Sequence, residues 1–383
     1  MKLPERQEGK LNIYYHIAEN SGVGLFRQYL WSKEIQKQNL ANVLINDFRW
    51  GVGEHKIPNE DDTFEIANWA DIILTGRIDR PEWLAKWGGI REFFNMPVVM
   101  DTDDNVRHVR PSNPGYQGYH PGSEAEMWSK IAFSKVFNAI TVSTKELQEF
   151  HSKEHSRIHI LPNSLDLSAY KKLRKKNDGK IRIMFNGSSS HSESINIIKK
   201  PVTDIMKKYP QVIFQTPKAF KFLFERMNLD KEIMDRIEFM EWIPLKKWST
   251  ELAKRRVDIG LAPLTDNLFN RAKSNLRWLE FSALKVPVIC SPVKAYENVE
   301  HMKTGLLAYE AENWYNYIET LINDEQLRKK LSENAYKEVS EQFNIEINVK
   351  EAVKIYQEIV DKYHKFFGRK KVAKQRNSKW YIK

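Results

Sequence analysis

Short apolar runs alternate with amphipathic stretches along almost the whole chain, and this alternation restricts the fold more than any other feature. LNIYYHI (11–17) has the pattern of a buried strand, and AENSGVGLFRQYLWSKEIQKQ after it is a glycine loop opening an amphipathic helix. The apolar run returns in NVLINDF (42–48), ADIILTG (70–76), MPVVMDTDD (96–104), NAITVST (138–144) and IHILPN (158–163), mostly followed by helical patterning. Apolar strands separated by helices predict a parallel sheet covered on both faces.

The basic, polar segment AYKKLRKKNDGK (169–180) interrupts the series, and IRIMFNGSSS (181–190) restarts it. QVIFQT (211–216), RIEFMEW (236–242), VDIGLAPL (257–264), VPVICS (286–291) and GLLAYE (305–310) follow. At 383 residues the chain exceeds what one hydrophobic core usually serves, so two domains are expected. The expectation is two Rossmann-like α/β domains with parallel sheets facing a central cleft. The first spans 1–170, a linker 171–180 and the second domain 181–345; a helix over 346–367 packs back on the first domain, and 368–383 form a basic tail.

No stretch reaches the roughly 18–20 consecutive apolar residues of a membrane span. The N-terminal MKLPERQEGK has no signal-type apolar run. Cys290 is the single cysteine, which excludes an intrachain disulfide and a cysteine zinc site. A cytoplasmic location is expected. The net charge of +11 points toward polyanions: nucleotides, nucleic acid or anionic membrane.

Parallel sheets bind ligands at the C-terminal ends of their strands, and four such ends are chemically unusual: NSGVGLFR, MDTDDN, FNGSSSHSES and PLTDNLFNRAKSN. In the last of these, Ser274 can open a helix with Leu276, Leu279, Ala283 and Leu284 on its apolar face. No Glu or Gln three residues on completes a capping box, so first-turn amides remain for an anion. Arg271 and Lys273 beside them favour a diphosphate. Glu280, roughly two turns from Lys273 on the same side, suits a ribose diol. The same residues also fit a solvated Lys–Glu face with a structural cap. Gly187, followed by Ser188, lets backbone approach a ligand or simply turns the chain. His191 fits either a ligand contact or a capping histidine. Asp101, Asp103 and Asp104 suit an Asx-rich turn, a pair of carboxylates holding a divalent cation, or groups that orient and deprotonate an acceptor hydroxyl.

The stretch APLTDNLFNRAKSNLRWLEFSALKVPVICSPVKAYENVEHMKTGLL (262–307), with NGSSSHSES and ILPNSLDL (160–167) before it, resembles the nucleotide-sugar glycosyltransferases of the two-Rossmann (GT-B) type, family 4 in particular. The resemblance covers nearly the whole chain. SGVGLFR (21–27) matches the family's glycine loop, and VVMDTDDN followed by RPSNPGYQGYHPGS resembles a subgroup found in bacterial and phage genomes. It implies a hexosyltransferase-like enzyme, retaining and with no required cofactor or metal, that uses a nucleotide-diphosphate donor such as a UDP-sugar. Lys273, with Arg271 as the alternative, falls on the family's diphosphate-binding basic residue, and Glu280 on its ribose-binding glutamate. Ala272 stands where the family carries its first glutamate, near the donor sugar, so the resemblance does not extend to sugar recognition. The donor residues are then Gly22, Gly24, Gly187, Ser188, His191, Arg271, Lys273, Ser274 and Glu280, and the catalytic candidates in the acceptor domain are Asp101, Asp103 and Asp104. The DTDD run also resembles the metal-binding DxD of single-domain (GT-A) glycosyltransferases, against which the second α/β half counts.

The terminal HKFFGRKKVAKQRNSKWYIK mixes cations with Phe366, Phe367, Trp380 and Tyr381. Such a tail suits an anionic membrane, giving a peripheral enzyme at its inner face with an envelope glycan or lipid-linked sugar as acceptor. It also suits DNA, giving a phage-type DNA glycosyltransferase that acts on a flipped, modified base. The envelope acceptor is the preferred reading. From a different class, a non-catalytic polyanion-binding module on the same fold accounts for the missing glutamate.

Overall fold

The computed structural model describes residues 3–19, 21–46, 58–78, 80–171, 173 and 178–368. The tail over 369–383, with Trp380 and Tyr381, lies outside the described residues, as do 172 and 174–177 of the expected linker. Chain contacts divide into two compact units. The first comprises Met1–Asp104, Pro121–Ser164 and Ile345–Lys383; the second comprises Asn105–His120 and Leu165–Asn344.

The first unit is built on β1 (Asn12–His16), β2 (Asn42–Ile45), β3 (Ile72–Thr75), β4 (Val98–Thr102), β5 (Ala139–Val142) and β6 (Ile158–Ile160), in the spatial order β2-β1-β3-β4-β5-β6. The second is built on β7 (Ile181–Phe185), β8 (Val212–Pro217), β9 (Ile237–Met240), β10 (Ile259–Ala262), β11 (Val288–Cys290) and β12 (Leu306–Leu307), in the order β12-β11-β10-β7-β8-β9. Every pairing is parallel. Each strand falls on one of the apolar runs and is shorter than it in most cases, while β8 extends one residue past its run to Pro217. The run over 42–48 stops at Ile45, and 47 and 48 lie outside the described residues.

In the first unit, Ile13, Tyr15, Leu74 and Val99 on one sheet face are buried with Trp31 and Ile35 of the helix Leu30–Lys37. The helix Ile345–Phe367 joins that core through Val349, Ala352, Tyr356 and Ile359, a three-or-four-residue spacing that gives one continuous apolar stripe. In the second unit, Ile183, Phe185, Phe214 and Ile259 pack with Ile195, Ile198, Val202 and Ile205 of the helix Ser192–Lys208. No described helix is long and apolar enough to cross a membrane.

In both sheets the direction of winding reverses beside the first strand. β1 lies between β2 and β3, and β7 lies between β8 and β10. Loops diverge at such a switch point and leave room for a ligand beyond the strand ends.

Candidate functional site

At the switch point of the second sheet, the ends of β7 and β10 are tied together by Arg277, in the first turn of the helix Leu276–Ala283. Its Nε donates to the Asn186 carbonyl at 2.6 Å, and its Nη1 to the Pro263 carbonyl and the Tyr296 hydroxyl, each at 3.3 Å. The guanidinium lies 5.1 Å from the centre of the Phe185 ring. Its Nη2 makes no hydrogen bond among the described residues and approaches Gly187. A Cβ at 187 would lie 3.3 Å from that nitrogen and 3.0 Å from the His191 ring, so any side chain there would crowd both. Burial, reinforced by the charges of Arg277 and Lys273, holds His191 well below the ordinary histidine range. It is therefore neutral near pH 7 and presents one donor and one acceptor. Ser188, ahead of the turn Ser189–His191, shares a 2.7 Å hydrogen bond with Ser190.

The helix opens two residues beyond Ser274, at Leu276, with Asn275 as its N-cap. The Asn275 amide reaches Asn298 at 3.0 Å instead of folding onto its own helix. The Asn275 side chain therefore does not cap its own helix, whose first-turn amides form an anion-binding end. Ser274 lies in the bend before it.

The two expected cations separate. Arg271 is exposed and makes two bonds to Asp266, at 2.6 and 2.8 Å. Lys273 places its ammonium 4.4 Å from the centre of the Phe269 ring. Between them Ala272 is fully buried. Glu280 is also buried, at 5% exposure. It accepts hydrogen bonds from the Tyr170 hydroxyl at 3.2 Å and from Trp248 Nε1, both on Oε1. Burial pushes its pKa up to about 7, against the opposing pull of Trp248, Tyr170 and Arg277. Oε2 makes no hydrogen bond among the described residues.

In the first unit, Gly22 faces open space, whereas a Cβ on Gly24 would fall 1.9 Å from the Glu19 carbonyl oxygen. Glycine at 24 lets the π-helical stretch Gly24–Tyr29 start against the β1 loop. That stretch delivers Arg27 to Asp101. Asp101 is buried, and its Oδ1 and Oδ2 accept from Arg27 at 2.9 and 2.8 Å while Thr141 adds a 2.6 Å bond to Oδ2. Arg27 also donates to the Leu161 carbonyl and to Asn163. Asp103 and Asp104 follow β4 and are half-buried. Among the described residues no three His, Cys, Asp or Glu side chains gather as a metal site.

Reading the sequence missed Arg277, Tyr170, Trp248 and Arg27. One signal for Arg277 was present. A cation in the first turn of a helix is repelled by the helix dipole, so its presence there calls for a partner or an anionic ligand.

No family model matches the chain, and no curated protein matches it. Solved structures do. The Anabaena protein HepE in complex with UDP and glucose matches with a TM-score of 0.65 at 14% identity, over 91% of this chain and 99% of HepE. A sucrose-phosphate synthase from Thermosynechococcus elongatus matches with a TM-score of 0.64 at 14% identity, over 92% of this chain and 100% of its own. A glycosyltransferase from Rickettsia africae matches with a TM-score of 0.63 at 13% identity, over 92% and 99%. At these identities the likeness establishes the fold: the two-Rossmann, GT-B type expected from the sequence.

Proposed function

We propose that this chain is a glycosyltransferase that moves a sugar from a nucleoside-diphosphate donor to an acceptor hydroxyl, retaining configuration and requiring no metal, in the manner of family 4. One observation carries the reading: the groups gathered around the first turns of the Leu276–Ala283 helix. Arg277, Lys273 and the first-turn amides suit a diphosphate, and a buried carboxylate whose Oε2 is uncommitted among the described residues, Glu280, suits a ribose diol. The fold shared with HepE, whose solved complexes contain UDP and UDP-glucose, supports a uridine nucleotide.

In this reading the diphosphate leaves as an oxocarbenium-like sugar develops, and fixed positive charge at Arg277 and Lys273 stabilises the departing anion. Neutral His191 and the backbone at Gly187 and Ser188 line the same end. Asp103 and Asp104 orient the acceptor hydroxyl, and Asp101 acts through Arg27 to fix the end of β4. Gly22 and Gly24 shape the loop above β1. The acceptor is an envelope glycan or lipid-linked sugar met at the inner face of a membrane, with a DNA base as the second candidate.

A panel of nucleotide sugars tested by thermal shift separates these ideas, because a ligand of the native state raises its melting temperature by mass action. One UDP-sugar is expected to stabilise the protein and to be turned over to UDP in the presence of EDTA. Stabilisation without turnover on any glycan, lipid-linked or DNA acceptor favours the non-catalytic polyanion-binding module. Loss of turnover on chelation, restored by manganese, refutes metal independence.

A further inference from the structure

Residues 105–120 leave the first unit directly after Asp104, belong to the second unit, and hand the chain back at Pro121. Val106 and Val109 of this excursion are buried against Phe269, with Tyr116 and Tyr119 packed around them. Ser112 also donates a hydrogen bond to Glu193, two residues beyond His191. Phe269 is 6% exposed, and its ring carries the Lys273 ammonium. A lysine ammonium on its flexible four-carbon stem otherwise samples many rotamers. The negative face of an aromatic ring attracts it and narrows that range.

We propose that Phe269, seated in the socket formed by Val106 and Val109, is a positioning residue that holds the Lys273 ammonium where the donor diphosphate binds. The inference rests on the nucleotide-sugar reading above and adds what that reading lacks. A segment drawn from the middle of the first unit's sequence builds part of the second unit's phosphate site.

Calorimetric titration tests it, with UDP (or whichever of GDP, ADP and dTDP the wild type binds) and the matching nucleoside. The proteins are wild type, Phe269→Leu, Phe269→Tyr, Lys273→Ala and the Phe269→Leu/Lys273→Ala double variant. Phe269→Leu is expected to lose about two- to fivefold in diphosphate affinity with nucleoside affinity unchanged, and Phe269→Tyr, which keeps a ring, to bind as wild type. The double variant should bind no more weakly than Lys273→Ala alone, since the ring acts only through the lysine. Equal losses for nucleotide and nucleoside, or additive losses in the double variant, overturn the proposal and leave the donor reading intact. A wild type that binds none of the four nucleotides overturns the donor reading and this inference with it. If Phe269→Leu melts early, Phe269→Met takes its place in the same comparison.

Discussion

Each unit sets an arginine at the C-terminal ends of its sheet's strands, and the two arginines are used in opposite ways. Arg27 gives two bonds to the Asp101 carboxylate and spends Nη1 on the Leu161 carbonyl and Asn163. Its charge is cancelled at close range inside the fold. Arg277 bonds only two carbonyls and a phenol, all neutral, and keeps Nη2 uncommitted among the described residues. An arginine paired with a buried carboxylate is a clamp; one held by neutral acceptors still projects its full charge toward an anion. Position at a strand end does not separate the two roles, but the identity of the acceptors does.

The largest effect expected from this contrast is on stability. Asp101→Ala leaves the Arg27 guanidinium buried without its counter-charge, which costs about 3–5 kcal/mol, read as a shift in the urea midpoint. The double change Arg27→Met/Asp101→Leu should cost much less, because no charge is stranded. If Asp101→Ala unfolds like wild type yet loses turnover, Asp101 is a catalytic carboxylate and the contrast collapses.

Next in size is Arg277→Ala. Losing a charge-assisted contact of about 1.5–3 kcal/mol should weaken UDP binding at least about tenfold while uridine binding changes far less. Comparable losses for both ligands would make Arg277 a second clamp.

The same contrast explains what the sequence made legible. Twelve apolar runs announced twelve strands because strands of a doubly covered parallel sheet are apolar throughout, as with Ile181–Phe185. Glu280 stood out as a carboxylate within an apolar helix, and it is buried. Arg27 and Asp101 meet across 74 residues, and no local spacing encodes such a pairing. Residues 105–120, rich in proline and glycine, carry no periodicity that would assign them to one unit. Serine is a common N-cap and points to Ser274 as the helix start; Asn275 takes that place and turns its amide to Asn298.

A smaller effect is expected from pH. Burial raises Glu280 to about 7 in the folded protein, above the carboxylate reference of 4.5. A buried acid favours its protonated form. Its contribution to stability is therefore complete below the unfolded value and is lost as pH rises through about 7. Ribose hydroxyls donating to Oε2 favour the ionised form, so uridine affinity should climb between about pH 6 and 8. Glu280→Gln should flatten that profile, and a profile unchanged by this substitution removes Glu280 from the ribose site.

The smallest effect is expected at Arg271, which the sequence offered as the alternative to Lys273. Its guanidinium is bound to Asp266, and both side chains are about half exposed. Solvent and salt screen such a pair, and Arg271 is already neutralised by a neighbour that a diphosphate would have to displace. Arg271→Ala should therefore change UDP affinity by less than about twofold and leave the melting temperature nearly unmoved. Asp266→Asn supplies the sharper comparison, since it frees the arginine without removing it. If Arg271 lies within electrostatic reach of the diphosphate, Asp266→Asn should tighten UDP binding at low salt, and the gain should vanish as ionic strength rises. A loss at Arg271→Ala as large as that at Lys273→Ala would mean that the ligand draws Arg271 away from Asp266. The rule separating clamps from ligand-binding cations would then hold for buried pairs such as Arg27–Asp101 and fail for exposed ones.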